Sequence, residues 1–172
     1  MIIKIVGSVL VIFASFAFFY EYSRKYVRRV AELEELNFLL TMLEGEMFYN
    51  LNPLPVAFSN ISRGRKGVSD IFAAAAEYIG NKEGAAVPGI FSRAIGEAKG
   101  GLHLNAEDFR IIEDFSAGLS SADIESQRGN INAAREKIMY RINAARDESK
   151  KLTKLYIYLG ILAGLMIVIL LF

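Results

Sequence analysis

Apolar residues are distributed along this chain in two ways. At the ends they are continuous: Ile5 to Tyr20 carries no charge, and Leu155 to Phe172 is an uncharged run of eighteen residues. At 1.5 Å per helical residue such a run reaches about 27 Å, close to the roughly 30 Å hydrocarbon core of a bilayer. Between the ends, apolar residues recur at three- and four-residue spacings, the pattern of amphipathic helices. There is no internal repeat and no strand-like alternation of useful length, and two of the three prolines, Pro53 and Pro55, form one cluster. The expected fold is all-α, a compact helical bundle of about six helices between N- and C-terminal transmembrane helices. The expected boundaries are 1–21 and 155–172 for the spans and 22–154 for the bundle.

Within the bundle, Val27, Val30, Leu33, Leu36, Leu40, Leu43 and Met47 carry the first helix from the membrane segment through Tyr49. Asn52 fits an N-cap, with Pro53 at the first position of a short helix through Ile61. Arg63-Gly64-Arg65-Lys66-Gly67 reads as a basic loop, and Ser69 or Asp70 as the cap of a helix displaying Ile71, Phe72, Ala75, Tyr78 and Ile79 up to Gly80. A glycine-rich connection follows. Pro88 to Lys99 forms the next helix, ended by Gly100 and Gly101. Asn105 and Asp108 have capping-box spacing ahead of a stripe of Phe109, Ile112, Phe115 and Leu119. The last helix is expected from near Ser121, unbroken into the second span. Ile124, Ile131, Ile138, Ala145 and Leu152, spaced by seven, share one face of it. Gln127, Arg128, Arg135 and Arg141 intrude on an apolar heptad. The stripe therefore reads as core against the first long helix, with a self-associating coiled coil, and hence a homo-oligomer, as the lesser reading.

Charge distribution adds an orientation. Arg24, Lys25, Arg28 and Arg29 follow the first apolar run, and Arg146, Lys150, Lys151 and Lys154 precede the second. Cations resist translocation, so the middle domain is expected in the cytoplasm with both termini outside it. A cleavable signal peptide is the competing reading of Lys4, the short apolar stretch and Ser15-Phe16-Ala17. Against it, Phe18, Phe19 and Tyr20 prolong the apolar run and four cations follow. A positive mean hydropathy alongside 23% charged residues reflects the same segregation. From Glu32 to Ala145 there are sixteen acids and eleven bases, a net charge of −5 that speaks against nucleic acid as partner. The chain has no cysteine, which excludes disulfides, thiol catalysis and cysteine-based zinc sites.

Candidate chemistry is sparse. The single histidine, His103, has Glu107 four residues on but stands beside a double glycine, and reads as a loop residue; no Walker-type loop or HExxH is present. Nothing points to a cofactor or a metal. Glu44 and Glu46, two apart on a helix, point roughly 200° from each other and cannot clamp one ion. Each is instead a candidate for a salt bridge, a cap or a contact with another protein. Gly45 between them suggests a close helix crossing or a kink. Arg63, Arg65 and Lys66 are either a solvated loop or a patch for phosphate, lipid or an acidic protein. Gly160 and Gly164 form a GxxxG that lets another helix approach closely, and Gly7 and Ala14 on the first span are natural partners.

Leu43-Glu44-Gly45-Glu46-Met47-Phe48-Tyr49, followed by Asn52-Pro53-Leu54 and Ala57, resembles the LExEIxY…TPLxxA signature of the stage III sporulation protein AB family. Glu107, Asp108, Ile112, Phe115, Leu119, Asp123 and Gln127 resemble that family's spacing in the second half. Lys154-Leu155-Tyr156, Leu159-Gly160 and Gly164-Leu165 resemble its closing span. Asn52 replaces a usual threonine, Val56 a common acid, and Ser116 and Ser120 glycines. The resemblance implies a soluble domain similar to the cytosolic domain of the type II secretion platform protein F. It also implies a place in the channel joining mother cell and forespore. There a non-enzymatic membrane platform would engage the complex's secretion-type ATPase, stage III sporulation protein AA. On that expectation Glu44, Glu46, Tyr49, Asp123 and Gln127 form or position the partner-facing surface, and Gly160 and Gly164 pack the membrane helices. A platform of another secretion or pilus-like system is the alternative, and a membrane enzyme the third.

The orientation is testable because no native cysteine interferes. A chain carrying Arg65→Cys should resist a membrane-impermeant maleimide in intact cells and react once they are permeabilised. Labelling of intact cells would place the bundle outside.

Overall fold

The computed structural model describes residues 2–81, 86–119 and 123–171, and every regular element among them is helical. In chain order these are α1 (Ile2–Phe48), α2 (Leu54–Ser62), α3 (Ser69–Gly80), α4 (Val87–Ala98), a 3-10 turn (Lys99–Gly101), α5 (Ala106–Gly118) and α6 (Ile124–Leu171). This is the expected all-α architecture, with long apolar helices at both ends. Ser121, the expected start of the last helix, and residues 82–85 of the glycine-rich connection lie outside the described residues. α6 runs without a break from Ile124 to Leu171.

The chain divides into two compact units. One is Ala31–Asn143; the other combines Met1–Val30 with Ala144–Phe172. In the bundle unit the three- and four-residue spacing does place the core: Leu33, Leu36, Leu40 and Leu43 of α1 are buried, and Leu39 joins them. Phe58, Phe72, Phe91 and Phe115, from four different helices, meet with ring centroids 5.5–6.2 Å apart, mostly edge to face. Such pairs add about 0.5–1.5 kcal/mol each beyond the area they bury. Ile131 and Ile138 of the α6 stripe are fully buried, but Ile124, expected to share their face, is 67% exposed.

Helix ends follow local chemistry in part. At α5 the capping box is complete: Asn105 Oδ1 accepts from the Asp108 N–H and Asp108 Oδ2 from the Asn105 N–H, both at 3.0 Å. At α2 the expectation fails, because Pro53 occupies the cap and the Asn52 side chain donates to Glu46 instead. Neither Ser69 nor Asp70 caps α3 from outside: both lie within it, and Asp70 accepts from the Gly67 N–H at 3.0 Å. The positive charge at the α3 N-terminus is met by Glu35 of α1. It accepts hydrogen bonds from the Val68 and Ser69 backbones, while burial pushes its carboxyl above the ordinary value. The basic loop is not simply solvated, since Arg65 stacks 4.8 Å from the Phe38 ring centroid.

The polar residues that spoil the α6 heptad are its attachment points. Asp108 is completely buried, and its second oxygen accepts from Arg141 Nε at 2.8 Å. Arg141 also bonds Glu107 and, at 3.1 Å, Asn105 Oδ1. Asn130 donates to the Phe115 carbonyl at 2.7 Å and Gln127 to the Leu119 carbonyl at 3.4 Å.

In the other unit the two helices approach backbone to backbone. A Cβ on Gly160 would lie 3.2 Å from Phe16 Cα, and one on Gly164 2.8 Å from Ile12 Cα. The Ser15 hydroxyl donates to the Gly160 carbonyl at 2.9 Å. Gly7 has nothing within 4 Å of such a Cβ position, so the facing residues are Ile12, Ser15 and Phe16 rather than the expected Gly7 and Ala14. Both long helices contain stretches long and apolar enough to cross a bilayer. Only 6% and 11% of those windows is buried within the protein, unlike the core helix of a soluble fold.

Arg141→Ala should leave Asp108 as a buried carboxylate without its guanidinium, a loss of about 3–5 kcal/mol. Thermal unfolding of the full chain in detergent micelles, followed by circular dichroism, measures it. A melt within a degree of the wild type would show that the pair is not a principal support of the bundle.

Candidate partner-binding site

Of the five expected site residues, Glu44, Glu46 and Tyr49 lie at the end of α1 and Asp123 and Gln127 at the start of α6, and of these Gln127 alone lines the cleft formed there. Glu44 and Glu46 lie in the last turns of α1 and diverge as their spacing requires. Glu44 turns to α6, where Oε2 accepts from Arg135 Nη1 at 3.1 Å and Oε1 lies 3.7 Å from Arg128 Nε. Its carboxylate is thus committed inside the bundle. Glu46 turns to the α1–α2 connection and takes three side-chain amides: Asn50 at 3.1 Å, and Asn52 and Asn60 at 2.7 Å each. The Asn60 and Asn52 amides, with a smaller share from Asn50, hold its carboxyl below the ordinary value. Gly45 has open space around its Cβ position, so it marks no close crossing. Its carbonyl accepts from the N–H groups of Tyr49 and Asn50, both at 3.0 Å, where the helix ends.

Beyond that end the chain reverses through Leu51, whose φ of 54° is the one positive value at a non-glycine residue among those described. The reversal lets the Asn52 N–H reach the Glu46 carbonyl at 2.9 Å. Helix ends commonly give this left-handed position to glycine, which has no Cβ to clash.

The result is an open cleft of about 320 Å³ lined by Met47, Phe48, Leu51, Asn52, Pro53, Leu54, Ile124, Gln127 and Arg128. Leu51 and, beside the cleft, Tyr49 are each 78% exposed. The Arg128 guanidinium lies 5.1 Å from the Phe48 ring centroid. Asp123 serves mainly as the cap of α6, its Oδ2 accepting from the Ser126 N–H at 2.9 Å and its carbonyl from the Gln127 N–H at 3.0 Å. The cleft is therefore mostly apolar with two amides, Asn52 and Gln127, and one guanidinium, Arg128, in its lining, a composition that suits a protein side chain. Among the described residues, no three histidine, aspartate or glutamate side chains gather as a metal site. His103 instead lies against Glu32, which accepts its backbone N–H at 2.6 Å and contacts its Nδ1 at 2.8 Å.

Sequence reasoning missed Phe48, Leu51, Ile124 and Arg128 as parts of this place. The available signal was the absence of glycine from Asn50-Leu51-Asn52, where a helix must end.

A family model described as stage III sporulation protein AB matches residues 4–172. The chain belongs to that family. Stage III sporulation protein AB of Bacillus subtilis (strain 168) is 25% identical over 170 residues, covering 98% of this chain and 99% of the relative. A solved structure of stage III sporulation protein AB, 21% identical, superposes with a TM-score of 0.66 over 72% of this chain and 97% of that one, a likeness of fold. In this member of the stage III sporulation protein AB family, the segment Leu43–Leu54 that carries the signature resemblance supplies most of the cleft wall. The family places the chain among sporulation proteins.

A carboxyl held low in the folded state stabilises above the ordinary carboxylate range, and that stabilisation is lost as pH falls through the lowered value. Glu46→Gln should therefore lower the melting temperature at neutral pH, with the difference from wild type closing under acid conditions. Parallel melts of the two proteins from neutral to acid pH test this. A difference that stayed constant would show that the Glu46 charge contributes nothing.

Proposed function

We propose that the protein is a non-enzymatic membrane platform of the sporulation channel complex that joins mother cell and forespore. Its two apolar helices anchor it in the membrane with the bundle in the cytoplasm, and the bundle engages a secretion-type ATPase, stage III sporulation protein AA. The observation that carries the docking half of this reading is the exposed apolar cleft at the end of α1, with Tyr49, the chain neighbour of the lining residue Phe48, 78% exposed. An exposed aromatic beside an apolar cleft is what anchor residues of protein interfaces look like. Family membership supports the sporulation setting, and the uncovered apolar windows of α1 and α6 support the membrane anchor. In this reading Tyr49 and Gln127 contact the partner. Glu44, Glu46 and Asp123 position that surface, through Arg128 and Arg135, through the α1–α2 turn and through the α6 cap.

Purified full-length chain in nanodiscs should retain the ATPase in a pull-down. Tyr49→Ala should weaken retention by about tenfold or more, the cost of truncating an interface anchor, without lowering the melting temperature. Absence of retention by the wild type would remove the ATPase from this account.

A further inference from the structure

Three features near the cleft leave strain, apolar surface or charge that the fold itself does not compensate. Leu51 is an exposed leucine at φ 54°, where a Cβ is unfavourable and glycine or asparagine would sit with less strain. Backbone strain of this kind persists where something other than local stability keeps the residue. Ile124, at the start of α6, is exposed on the same cleft. Finally, Arg128 and Arg135 share the single carboxylate of Glu44, so the triad carries one excess positive charge. The buried Nε of Arg128 has no hydrogen-bond partner, and its guanidinium is set over Phe48 at the cleft edge.

We infer that this cleft binds a segment of a protein partner that presents an apolar side chain next to a carboxylate. The apolar side chain seats between Leu51 and Ile124. The carboxylate meets the exposed end of the Arg128 guanidinium, whose side chain is 42% exposed, and neutralises the excess charge of the triad, while the buried Nε stays turned to Glu44. The occupant is a segment of a different protein, and a membrane lipid or a second copy of this chain is an outcome the test below would count against it. The inference rests on the platform reading for the kind of partner, and names the chemistry by which that partner is held.

Leu51→Gly separates binding from folding because its two effects have opposite signs. Removing the side chain relieves the backbone, so the melting temperature holds or rises, while ATPase affinity falls about tenfold or more through lost apolar contact. Arg128→Gln should likewise weaken affinity at least tenfold, the size expected for a hydrogen bond to a charged group. Affinities unchanged within twofold in both variants, with wild-type retention intact, would overturn the cleft while leaving the platform standing. A photo-crosslinking phenylalanine analogue at position 51, in membranes of sporulating cells, identifies the occupant independently of any pull-down. The expected adduct is a peptide of another protein with an apolar residue beside Asp or Glu. An adduct with lipid, with a second copy or with a basic segment, or none at all, would overturn the inference. The expected adduct on a protein other than the ATPase would keep the cleft and discard the proposed motor.

Discussion

The bundle depends on a carboxylate with no access to water. Asp108 gives one oxygen to the N-terminus of its own helix and the other to Arg141 of α6. Removing such a group from water is costly, and only a partner with good geometry offsets the cost. Arg141 must therefore reach α5 at one position, which sets the rotation and height of α6 there. Arg135 to Glu44 and Asn130 to the Phe115 carbonyl repeat the constraint along the same helix. Apolar area alone would tolerate sliding of one helix along another. Directional bonds at several points do not.

Around these points the apolar contacts do the bulk of the work. Four phenylalanines from α2, α3, α4 and α5 make one edge-to-face cluster, which ties the short helices together although none is long enough to be stable alone. In the two-helix unit the logic is different. Contact there comes from missing side chains: Gly160 and Gly164 let backbones meet, and the Ser15 hydroxyl bonds a carbonyl across the gap. In hydrocarbon, close packing and hydrogen bonds replace the hydrophobic effect as the force between helices. Using the glycines within the chain also occupies the face through which a GxxxG would pair with another copy.

The cleft at the end of α1 is the counterpart of this economy of satisfied groups. Most of the large apolar residues of the bundle are buried; here Leu51 and Ile124 stay exposed side by side with an arginine whose buried Nε makes no hydrogen bond. Natural folds tolerate local conflicts of this sort mainly where function requires them. That the strained residue is a leucine, rather than the glycine usual at a helix end, is what separates the cleft from an ordinary surface hollow.

Much of this was legible in the amino-acid order. The uncharged ends, the α5 capping box and the buried faces of α1 and α5 follow from spacing, because each depends on residues within a few positions of one another. The divergence of Glu44 and Glu46 followed for the same reason. What spacing does not carry is the identity of a partner brought from far along the chain. Asn52 looked like a cap until Glu46 proved to hold it together with Asn60, fourteen residues away. His103 looked like a loop residue, yet Glu32, seventy-one residues earlier, receives it. The sequence by itself determined where the helices lie, which faces are apolar and that both ends suit a membrane, since helical periodicity and hydropathy are local properties. Tertiary structure decided which polar group completes which, and which apolar residues stay uncovered, because a hydrogen bond or a cleft exists only once distant segments occupy the same space.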